Sequence, residues 1–288
     1  MSEIIYGNLI AENYRLKIRD EVAKLKAATG KEPALDVVIV GEDPASQIYV
    51  RNKEKAAVEA GIRSTVHRLP AETTQTELLT LIEELNLNPE VNGILVQLPL
   101  PKTINASLTV EAVFAAKDVD GFHPVNLGRL MTGEKGIIPC TPKGCLKLIK
   151  EFRNDLTGLS AVVVGRSTIV GKPMAHLLLN ENCTVTVAHS KTLALPEACK
   201  TADILVVAVG SPKIIKADMV KEGAIVIDVG INRLEDGTLC GDVDFKNVLP
   251  KCAAITPVPK GVGPMTIAML LDNTVDAFCL QHGIKRDL

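Results

Sequence analysis

Apolar positions along the chain recur with two alternating periods, one typical of helices and one typical of buried strands. Residues 8–29 place apolar side chains mostly at spacings of three, four and seven, which predicts an amphipathic helix that ends at Gly30. The β-branched run 35–40 predicts a strand of the kind that is buried in a parallel sheet. Asp43 and Pro44 then provide an N-cap and a first helical residue, so a helix is expected to extend to about residue 60.

The alternation continues in two series, separated by a stretch rich in proline and glycine at 117–142 that we interpret as a loop-rich domain junction. Strands alternating with helices predict an α/β fold with parallel sheets. We expect two doubly wound lobes, one of residues 1–140 with a C-terminal helix at about 265–288 returning to it, and one of residues 141–264. The further predicted elements are strand 62–68, helix 74–87, strand 92–97, helix 105–115, helix 141–152, strand 160–165, helix 169–181, strand 183–189, helix 193–200, and strands 204–210, 224–230 and 252–256.

Composition excludes several classes of function. The 288 residues include 32 Lys and Arg against 34 Asp and Glu, without a run of like charges, so we expect neither a nucleic-acid partner nor an anionic membrane. No apolar run approaches the roughly 18 residues of a membrane span, and the start of the chain carries an acidic residue where a signal peptide needs cations. We therefore expect a cytoplasmic protein. The seven cysteines and five histidines lack metal-ligand spacing, which predicts no metal site.

The strongest local motif is the turn after strand 160–165. Gly165-Arg166-Ser167 breaks a β-branched strand and a helix opens a few residues later, a geometry that points backbone N–H groups at a phosphate. Ser167 replaces the usual middle glycine and the last glycine is delayed to Gly171, so an ordinary strand–loop–helix turn is the alternative. A nucleotide site here would make the second lobe a Rossmann-type domain.

The end of the next strand bears on cofactor choice. An NAD-selective site places an acidic residue there, whereas this chain has Ser190 and Lys191. Together with Arg166 they offer a cation and a hydroxyl suited to a 2′-phosphate, which predicts NADP rather than NAD. Lys191 equally fits a solvated turn residue.

Tyr49 and Lys53 lie four residues apart on the helix opened by Pro44, so one face of that helix could bring a phenol against an amine. Such a pair can serve proton transfer, and the apolar neighbours Ile48 and Val50 permit the dry environment that a basic lysine needs. A surface lysine covering a tyrosine is the simpler reading. Short-chain dehydrogenases also contain Tyr-x-x-x-Lys, but there the pair follows the dinucleotide motif, and here it precedes Gly165.

Three loops complete the candidate chemistry. Gln97 stands at the carboxyl end of a strand, where open α/β sheets bind ligands. Asp118 and Asp120 lie in the junction loop and could accept hydrogen bonds from an aminopyrimidine-like ligand, hold a cation, or form a turn. The rigid, glycine-punctuated segment 256–266 suggests the wall of a binding site, with a simple helix-start loop as the alternative.

Taken together, six blocks in order resemble the bifunctional methylenetetrahydrofolate dehydrogenase/methenyltetrahydrofolate cyclohydrolase family. Each block alone is a weak indication of the family, but six blocks in this order over about residues 35–280 are specific to it. The blocks are Tyr49-Val50-Arg51-Asn52-Lys53 with Gly61, Val96-Gln97-Leu98-Pro99-Leu100-Pro101, Lys117-Asp118-Val119-Asp120-Gly121, Pro139-Cys140-Thr141-Pro142, Gly165-Arg166-Ser167 with Val170-Gly171-Lys172-Pro173, and Gly261-Val262-Gly263-Pro264-Met265-Thr266.

The resemblance implies an enzyme of one-carbon metabolism, connected with purine biosynthesis, that uses NADP and no metal. It implies oxidation of 5,10-methylenetetrahydrofolate to the 5,10-methenyl cation with NADP+, followed by hydrolysis to 10-formyltetrahydrofolate. Similar proteins are usually homodimers.

The resemblance also assigns residue roles. It implies that Lys53 assists water attack and ring opening, Tyr49 stacks on or orients the folate, Gln97 tunes Lys53, and Asp120 grips the pterin. The family usually has glycine where this chain has Lys260. The other implied contacts are Gly165, Arg166, Ser167, Ser190 and Ile231 with NADP, and Val96, Leu98, Pro259, Gly261, Val262, Gly263, Pro264, Met265 and Thr266 with the folate.

Two other functions are compatible with the residues. A different two-lobed NADP-linked dehydrogenase, acting for example on a cyclic hydroxy acid, would share the Gly165 turn but would not need Gln97 beside Lys53. A non-catalytic NADP-binding sensor would need neither Lys53 nor Gln97.

Overall fold

The computed structural model describes residues 2–286, which divide into two compact units. One unit, Glu12–Cys140 with Ile267–Leu288, contains a three-stranded sheet and is called the three-stranded unit. The other, Met1–Ala11 with Thr141–Thr266, contains a six-stranded sheet and is called the six-stranded unit. The expected lobes ran over residues 1–140 and 141–264, and their outermost residues, 1, 287 and 288, lie outside the described ones.

The three-stranded unit is built on a parallel sheet in the order β3-β2-β4. Its central strand is buried along its whole length, which explains why every residue of this strand except Asp36 is apolar. The strands are β2 (Ala34–Val40), β3 (Arg63–Leu69) and β4 (Gly93–Val96), and the helices before residue 140 are α1 (Gly7–Thr29), α2 (Pro44–Glu59), α3 (Gln75–Leu87), α4 (Ala106–Ala112) and α5 (Pro124–Thr132).

The predicted start of α2 is confirmed. The Asp43 carboxylate accepts a hydrogen bond from Ser46 N at 2.8 Å, and Pro44 occupies the first helical turn. Gly61 follows the helix with φ +76°, a conformation that favours glycine. This cap fixes where α2 begins, and so where the functional face of α2 is placed.

The loop expected over 117–142 contains a helix, α5, that the sequence analysis missed. Some of its prolines and glycines form the ends of this helix. Pro124 opens α5, His123 Nδ1 accepts from Val125 N at 3.1 Å, and Gly133 ends the helix with φ +74°. The prolines and glycines that indicate a loop in the sequence therefore include the residues that begin and end a helix.

The six-stranded unit has a parallel sheet in the order β1-β11-β8-β7-β5-β6, and a separate two-stranded antiparallel pair, β9–β10. The strands expected at 204–210, 224–230 and 252–256 are shorter in the structure, which has them at Ile204–Val207, Ile225–Asp228 and Ala254–Ile255. The strands are β1 (Glu3–Ile4), β5 (Ser160–Val164), β6 (Thr184–Ala188), β7 (Ile204–Val207), β8 (Ile225–Asp228), β9 (Asn232–Arg233), β10 (Leu239–Cys240) and β11 (Ala254–Ile255), and the helices are α6 (Cys140–Phe152), α7 (Gly171–Asn180), α8 (Leu195–Lys200) and α9 (Phe245–Val248).

The N terminus departs from the expected division of the chain. Residues 1–11 were placed in the first lobe, but β1 pairs in parallel with β11, with Glu3 opposite Ala254 and Ile4 opposite Ile255. A two-residue strand is too short to give a periodic signal, so only its hydrogen bonds reveal its sheet.

The last helix, α10 (Val262–Gln281), continues into the three-stranded unit, as expected. The buried Asn273 amide donates to Val119 O and Ile138 O, both at 2.8 Å. Near the helix end, Gln281 Nε2 donates to Asn92 O at 2.8 Å. These bonds join α10 to residues on both sides of β4 in the chain. None of the helices among residues 2–286 is long and apolar enough to cross a membrane.

We expect Asn273→Ala to lower the free energy of unfolding by about 2–3 kcal/mol, because it removes a fully buried amide that donates to two carbonyl groups. Urea unfolding measures the change. Asn52→Ala, on the exposed face of α2, is the matched control and should stay within about 0.5 kcal/mol of the parent. Equal effects of the two substitutions would contradict the anchoring role of Asn273.

Candidate active site

The three-stranded unit brings Lys53 and Gln97 together at the carboxyl end of its sheet. Lys53 comes from α2 and is only 9% exposed, and its Nζ donates to Gln97 Oε1 at 3.0 Å. Gln97 follows β4 directly, and its backbone N–H continues the sheet by donating to Val38 O at 2.8 Å. Its Nε2 donates to Leu98 O at 2.6 Å, so the amide oxygen is turned toward the lysine. The sequence predicted both residues, and the structure places them in contact.

Tyr49 is placed differently from the expectation. Its side chain is 45% exposed, and among residues 2–286 no hydrogen bond joins it to Lys53. The two residues share a face of α2, but the partner of the amine is the amide of Gln97. Tyr49 is thus an exposed aromatic ring beside the lysine, which suits contact with a ligand better than proton exchange with Lys53.

Asp118 forms the turn that shapes the next loop. Its carboxylate accepts hydrogen bonds from Gly121 N at 3.2 Å, His123 N at 2.8 Å and Asn126 Nδ2 at 2.9 Å. Burial raises the pKa of Asp118, while the hydrogen bonds from His123 and Asn126 lower it. Of the roles that the sequence left open, turn formation is the one its contacts support. Within the described chain, no group of three or more His, Cys, Asp or Glu residues could hold a metal ion.

Asp120 is the carboxyl group available for chemistry in this loop. Burial raises its pKa to about 6; the positive charge of Lys53 acts in the opposite direction, and the negative charge of Asp118 raises the pKa further. A carboxyl group that changes protonation near neutrality, close to an amine, is typical of a site that moves protons.

In the six-stranded unit, the turn after β5 depends on two glycines. Gly165 has φ +128°, and a Cβ there would lie 2.3 Å from Ala208 O; a Cβ at Gly171 would lie 2.3 Å from Gly165 O. Ser167, which stands where a glycine is usual, accepts from Val170 N and Gly171 N through its hydroxyl, at 3.1 and 3.3 Å. It therefore caps the start of α7.

This turn has the form of a phosphate cradle. Residues 166–169 are exposed, and their backbone N–H groups donate to no acceptor among the described residues. Val164 is paired with Ala188 in the sheet, so Arg166 and Ser190 each stand two residues beyond one register position. Exposed amides, a cation and a hydroxyl at one sheet edge fit a nucleotide that carries an additional phosphate.

The sequence analysis missed a buried pair of aspartates beside this edge. Asp242 is fully buried and accepts from Val209 N, Gly210 N and Ser211 N at 2.7 to 2.9 Å, and from Asn232 Nδ2 at 2.9 Å. Its own backbone N–H donates to Asp228 Oδ1 at 2.9 Å. The loops after β7 and β8 are thereby tied to one carboxylate.

Asp228, at the end of β8, extends this clamp. It accepts from Gly230 N at 3.1 Å and Val243 N at 2.9 Å, and burial raises its pKa to about 7 against the effect of these donors. Ile231 is half exposed. Its two neighbours in the chain are held by hydrogen bonds: Gly230 donates to Asp228, and Asn232 donates to Asp242. The only sequence signal was the two motifs Asp228-Val229-Gly230 and Gly241-Asp242, in which a carboxylate adjoins a glycine turn.

The segment 256–266 divides into exposed and packed residues. Pro259 and Lys260 are exposed, and Lys260 adopts φ +80°, a conformation that favours the glycine usual at this position. Val262 and Met265 are buried, and their side chains pack in the unit. The Thr266 hydroxyl is 3.0 Å from that of Thr141.

Family models match both parts of the chain. The model described as the catalytic domain of tetrahydrofolate dehydrogenase/cyclohydrolase matches residues 5–120, and the model for its NAD(P)-binding domain matches residues 139–282.

The chain belongs to the tetrahydrofolate dehydrogenase/cyclohydrolase family. It is 58% identical to bifunctional protein FolD 2 of Paracoccus denitrificans over 98% of this chain and 94% of that protein. The crystal structure of the FolD dehydrogenase/cyclohydrolase of Campylobacter jejuni is similar at TM-score 0.94 and 50% identity, covering 96% and 98% of the two chains. A Trypanosoma brucei FolD structure, complexed with NADP and inhibitor, is similar at TM-score 0.92 and 38% identity, covering 96% and 97%.

We expect Asp120→Asn to stabilise this family member in a pH-dependent way. The folded-state pKa of about 6 lies above the ordinary value of 3.8, so ionisation of Asp120 weakens folding as the pH rises from about 4 to about 6, and the effect persists above pH 6. The variant should gain about 1–3 kcal/mol in free energy of unfolding at pH 8 and much less at pH 4.5.

Urea unfolding at both pH values measures this difference. Asp20→Asn, on the exposed face of α1, is the control and should be stabilising at neither pH. A gain for Asp120→Asn that is the same at both pH values would be inconsistent with a raised pKa.

Proposed function

We propose that this protein oxidises 5,10-methylenetetrahydrofolate to 5,10-methenyltetrahydrofolate with NADP+ and then hydrolyses that product to 10-formyltetrahydrofolate. The observation that carries the proposal is the buried Lys53, held at 3.0 Å from the Gln97 oxygen and near the carboxyl of Asp120, in a chain of this family. A simple NADP-linked dehydrogenase of another substrate has no need of such an amine–amide pair.

The residues proposed to hold NADP fit the group. The glycine turn at Gly165 leaves no room for a side chain, the amides of residues 166–169 are exposed, and Arg166 and Ser190 extend from adjacent strands. Ser167 supports this turn through its cap, and Ile231 offers an exposed surface held by the aspartate clamp. When bound, NADP+ supplies the hydride acceptor for the first reaction.

Hydrolysis is assigned to the three-stranded unit. Water adds to the methenyl carbon, a C–N bond of the ring opens, and one proton is released. Lys53 Nζ assists by holding and passing that proton, and Gln97 Oε1 keeps the amine in place. Asp120 accepts hydrogen bonds from the pterin, and Tyr49 presents its exposed ring for stacking. No metal is assigned to either reaction.

The remaining folate contacts are assigned to two segments. In the three-stranded unit they are Val96 and Leu98, which flank Gln97 in the chain. In the six-stranded unit they are Pro259, Gly261, Gly263, Pro264 and Thr266, together with the backbone of the packed residues Val262 and Met265.

We also propose a homodimer, a cytoplasmic location, and the absence of nucleic-acid and membrane partners. The dimer is supported by β6, an edge strand of the large sheet whose Val187 is 41% exposed, since an open edge invites a second copy. The location is supported by seven free thiols, six of them buried as core residues.

The direct test is a spectrophotometric assay with 5,10-methylenetetrahydrofolate, run with NADP+ and separately with NAD+. We expect turnover that favours NADP+. If the folded protein showed no turnover of the substrate with either NADP+ or NAD+, the result would contradict the proposal.

Lys53→Ala should lower cyclohydrolase activity by about 10²–10⁴-fold, because it removes the group that handles the proton. Hydrolysis of 5,10-methenyltetrahydrofolate, followed by loss of its absorbance, measures the change, and a folate-binding titration checks that the site persists. Lys55→Ala, an exposed lysine on the same helix, is the control and should retain full activity. Hydrolysis by Lys53→Ala at the parent rate would exclude the assigned role.

The double variant Arg166→Gln/Ser190→Ala should raise the KM for NADP+ by about ten- to a hundredfold, because charge-assisted contacts to a phosphate are lost. The KM for NAD+, which lacks that phosphate, should change little. Lys200→Gln, exposed at the end of α8, is the control. An equal rise for both cofactors would mean that these residues do not read the 2′-phosphate.

A further inference from the structure

The three-stranded unit contains a cavity that none of the proposed catalytic residues lines. It has a volume of about 250 Å³ and lies between α5, residues 135–137, the last turns of α10 and the segment that follows. Its apolar wall consists of Ile137, Cys279, Leu280 and Ile284. A cavity of about 150 Å³ can hold a benzene ring, so this one has room for a molecule of one or two rings.

One of the residues that line this cavity, Asn126, has a buried polar atom without a hydrogen-bond partner among residues 2–286. Asn126 is 1% exposed, and its Nδ2 donates to Ala115 O and to Asp118 Oδ2, both at 2.9 Å. Because both partners are acceptors, the orientation of the amide is fixed. Asn126 Oδ1 is consequently buried without a donor among residues 2–286. A Cβ at Gly136, another lining residue, would lie 3.7 Å from this oxygen.

The charges around the cavity are unbalanced. Arg286 is paired with Glu21, Asp272 and Asp276. Arg129, Lys135 and Lys285 also line the cavity, and within the described chain no carboxylate forms an ion pair with any of them. The lining therefore combines an apolar wall with one acceptor and three cations that have no hydrogen-bond or ionic partner, respectively, among residues 2–286.

We propose that this cavity is a second binding site, for a small aromatic or heteroaromatic anion whose N–H or O–H donates to Asn126 Oδ1 and whose acidic group pairs with Arg129 and Lys285. The ligand needs an N–H or O–H donor because the orientation of the Asn126 amide leaves its oxygen as an acceptor. It needs an aromatic ring because the wall is apolar, and a negative charge because cations line the cavity. The proposal does not depend on the folate reaction.

Occupation of the site affects the loop that carries Asp120. Asn126 donates to Asp118, and Asp118 accepts the backbone N–H groups of Gly121 and His123. A ligand that holds Asn126 in place lowers the frequency with which this turn opens.

Aminonaphthalene sulfonate is a suitable probe because it combines two fused rings, an N–H donor and an anionic group. Its binding to the 288-residue protein is followed by fluorescence in the presence of saturating NADP+, which keeps the probe out of the nucleotide site. We expect saturable binding at one site per chain.

Two variants test the location of the probe. Gly136→Leu fills the cavity next to Asn126; the φ of Gly136 is outside the left-handed region, and the nearest contact of its Cβ is the flexible Arg129 side chain at 3.1 Å. It should abolish probe binding. Arg129→Gln/Lys285→Gln should weaken binding about five- to tenfold, since two ion pairs are lost. The control Lys24→Gln/Lys102→Gln makes the same charge change on exposed lysines and should bind like the parent.

Thermal unfolding establishes that each variant is folded, and if Gly136→Leu is not, the charge variants still decide the question. Binding that is unchanged in the cavity variants, or equally weakened in the control, would overturn the proposal, as would the absence of saturable binding. Amide hydrogen exchange tests the coupling: with bound probe, exchange at Gly121 and His123 should slow at least threefold. Unchanged exchange at saturation would overturn the coupling.

Discussion

The arrangement of the six-stranded unit depends on one buried carboxylate surrounded by donors. Asp242 collects three consecutive backbone N–H groups from the turn after β7 and the amide of Asn232 from the segment after β8. These four donors from two loops share one buried acceptor, so the carboxylate decides how the two loops lie. Gly230 and Gly241 approach the two aspartates so closely that a side chain at either position would overlap a carboxylate.

In the three-stranded unit, a buried aspartate likewise holds a loop in place through hydrogen bonds. Asp118, next to the end of the sheet, accepts donors from its own loop and thereby fixes the position of Asp120. In both units a buried aspartate supports residues proposed to contact ligands without being one of them. Such carboxylates keep loops rigid where chemistry requires positions held to a fraction of an ångström.

Sequence reasoning captured the elements whose signal is periodic and missed those whose signal is a contact. The buried strand β2, the capped helix α2 and the returning helix α10 all follow from apolar spacing and end residues. The helix α5 was missed because its caps resemble loop residues, and β1 because two residues carry no period. Lys53 and Gln97 were found as motif residues, but their 3.0 Å contact, and the whole role of Asp242, require the fold.

Each unit is assembled from two separate stretches of chain, and this governs the order in which a growing polypeptide can finish it. When the ribosome has released residue 140, the three-stranded unit has its sheet but lacks residues 267–286, including the Asn273 anchor. The six-stranded unit is completed at residue 266, before the three-stranded unit, whose sheet lies earlier in the chain. The part whose sheet is made first is therefore completed last, and a chain stopped shortly before its end would leave the lysine-bearing half unfinished.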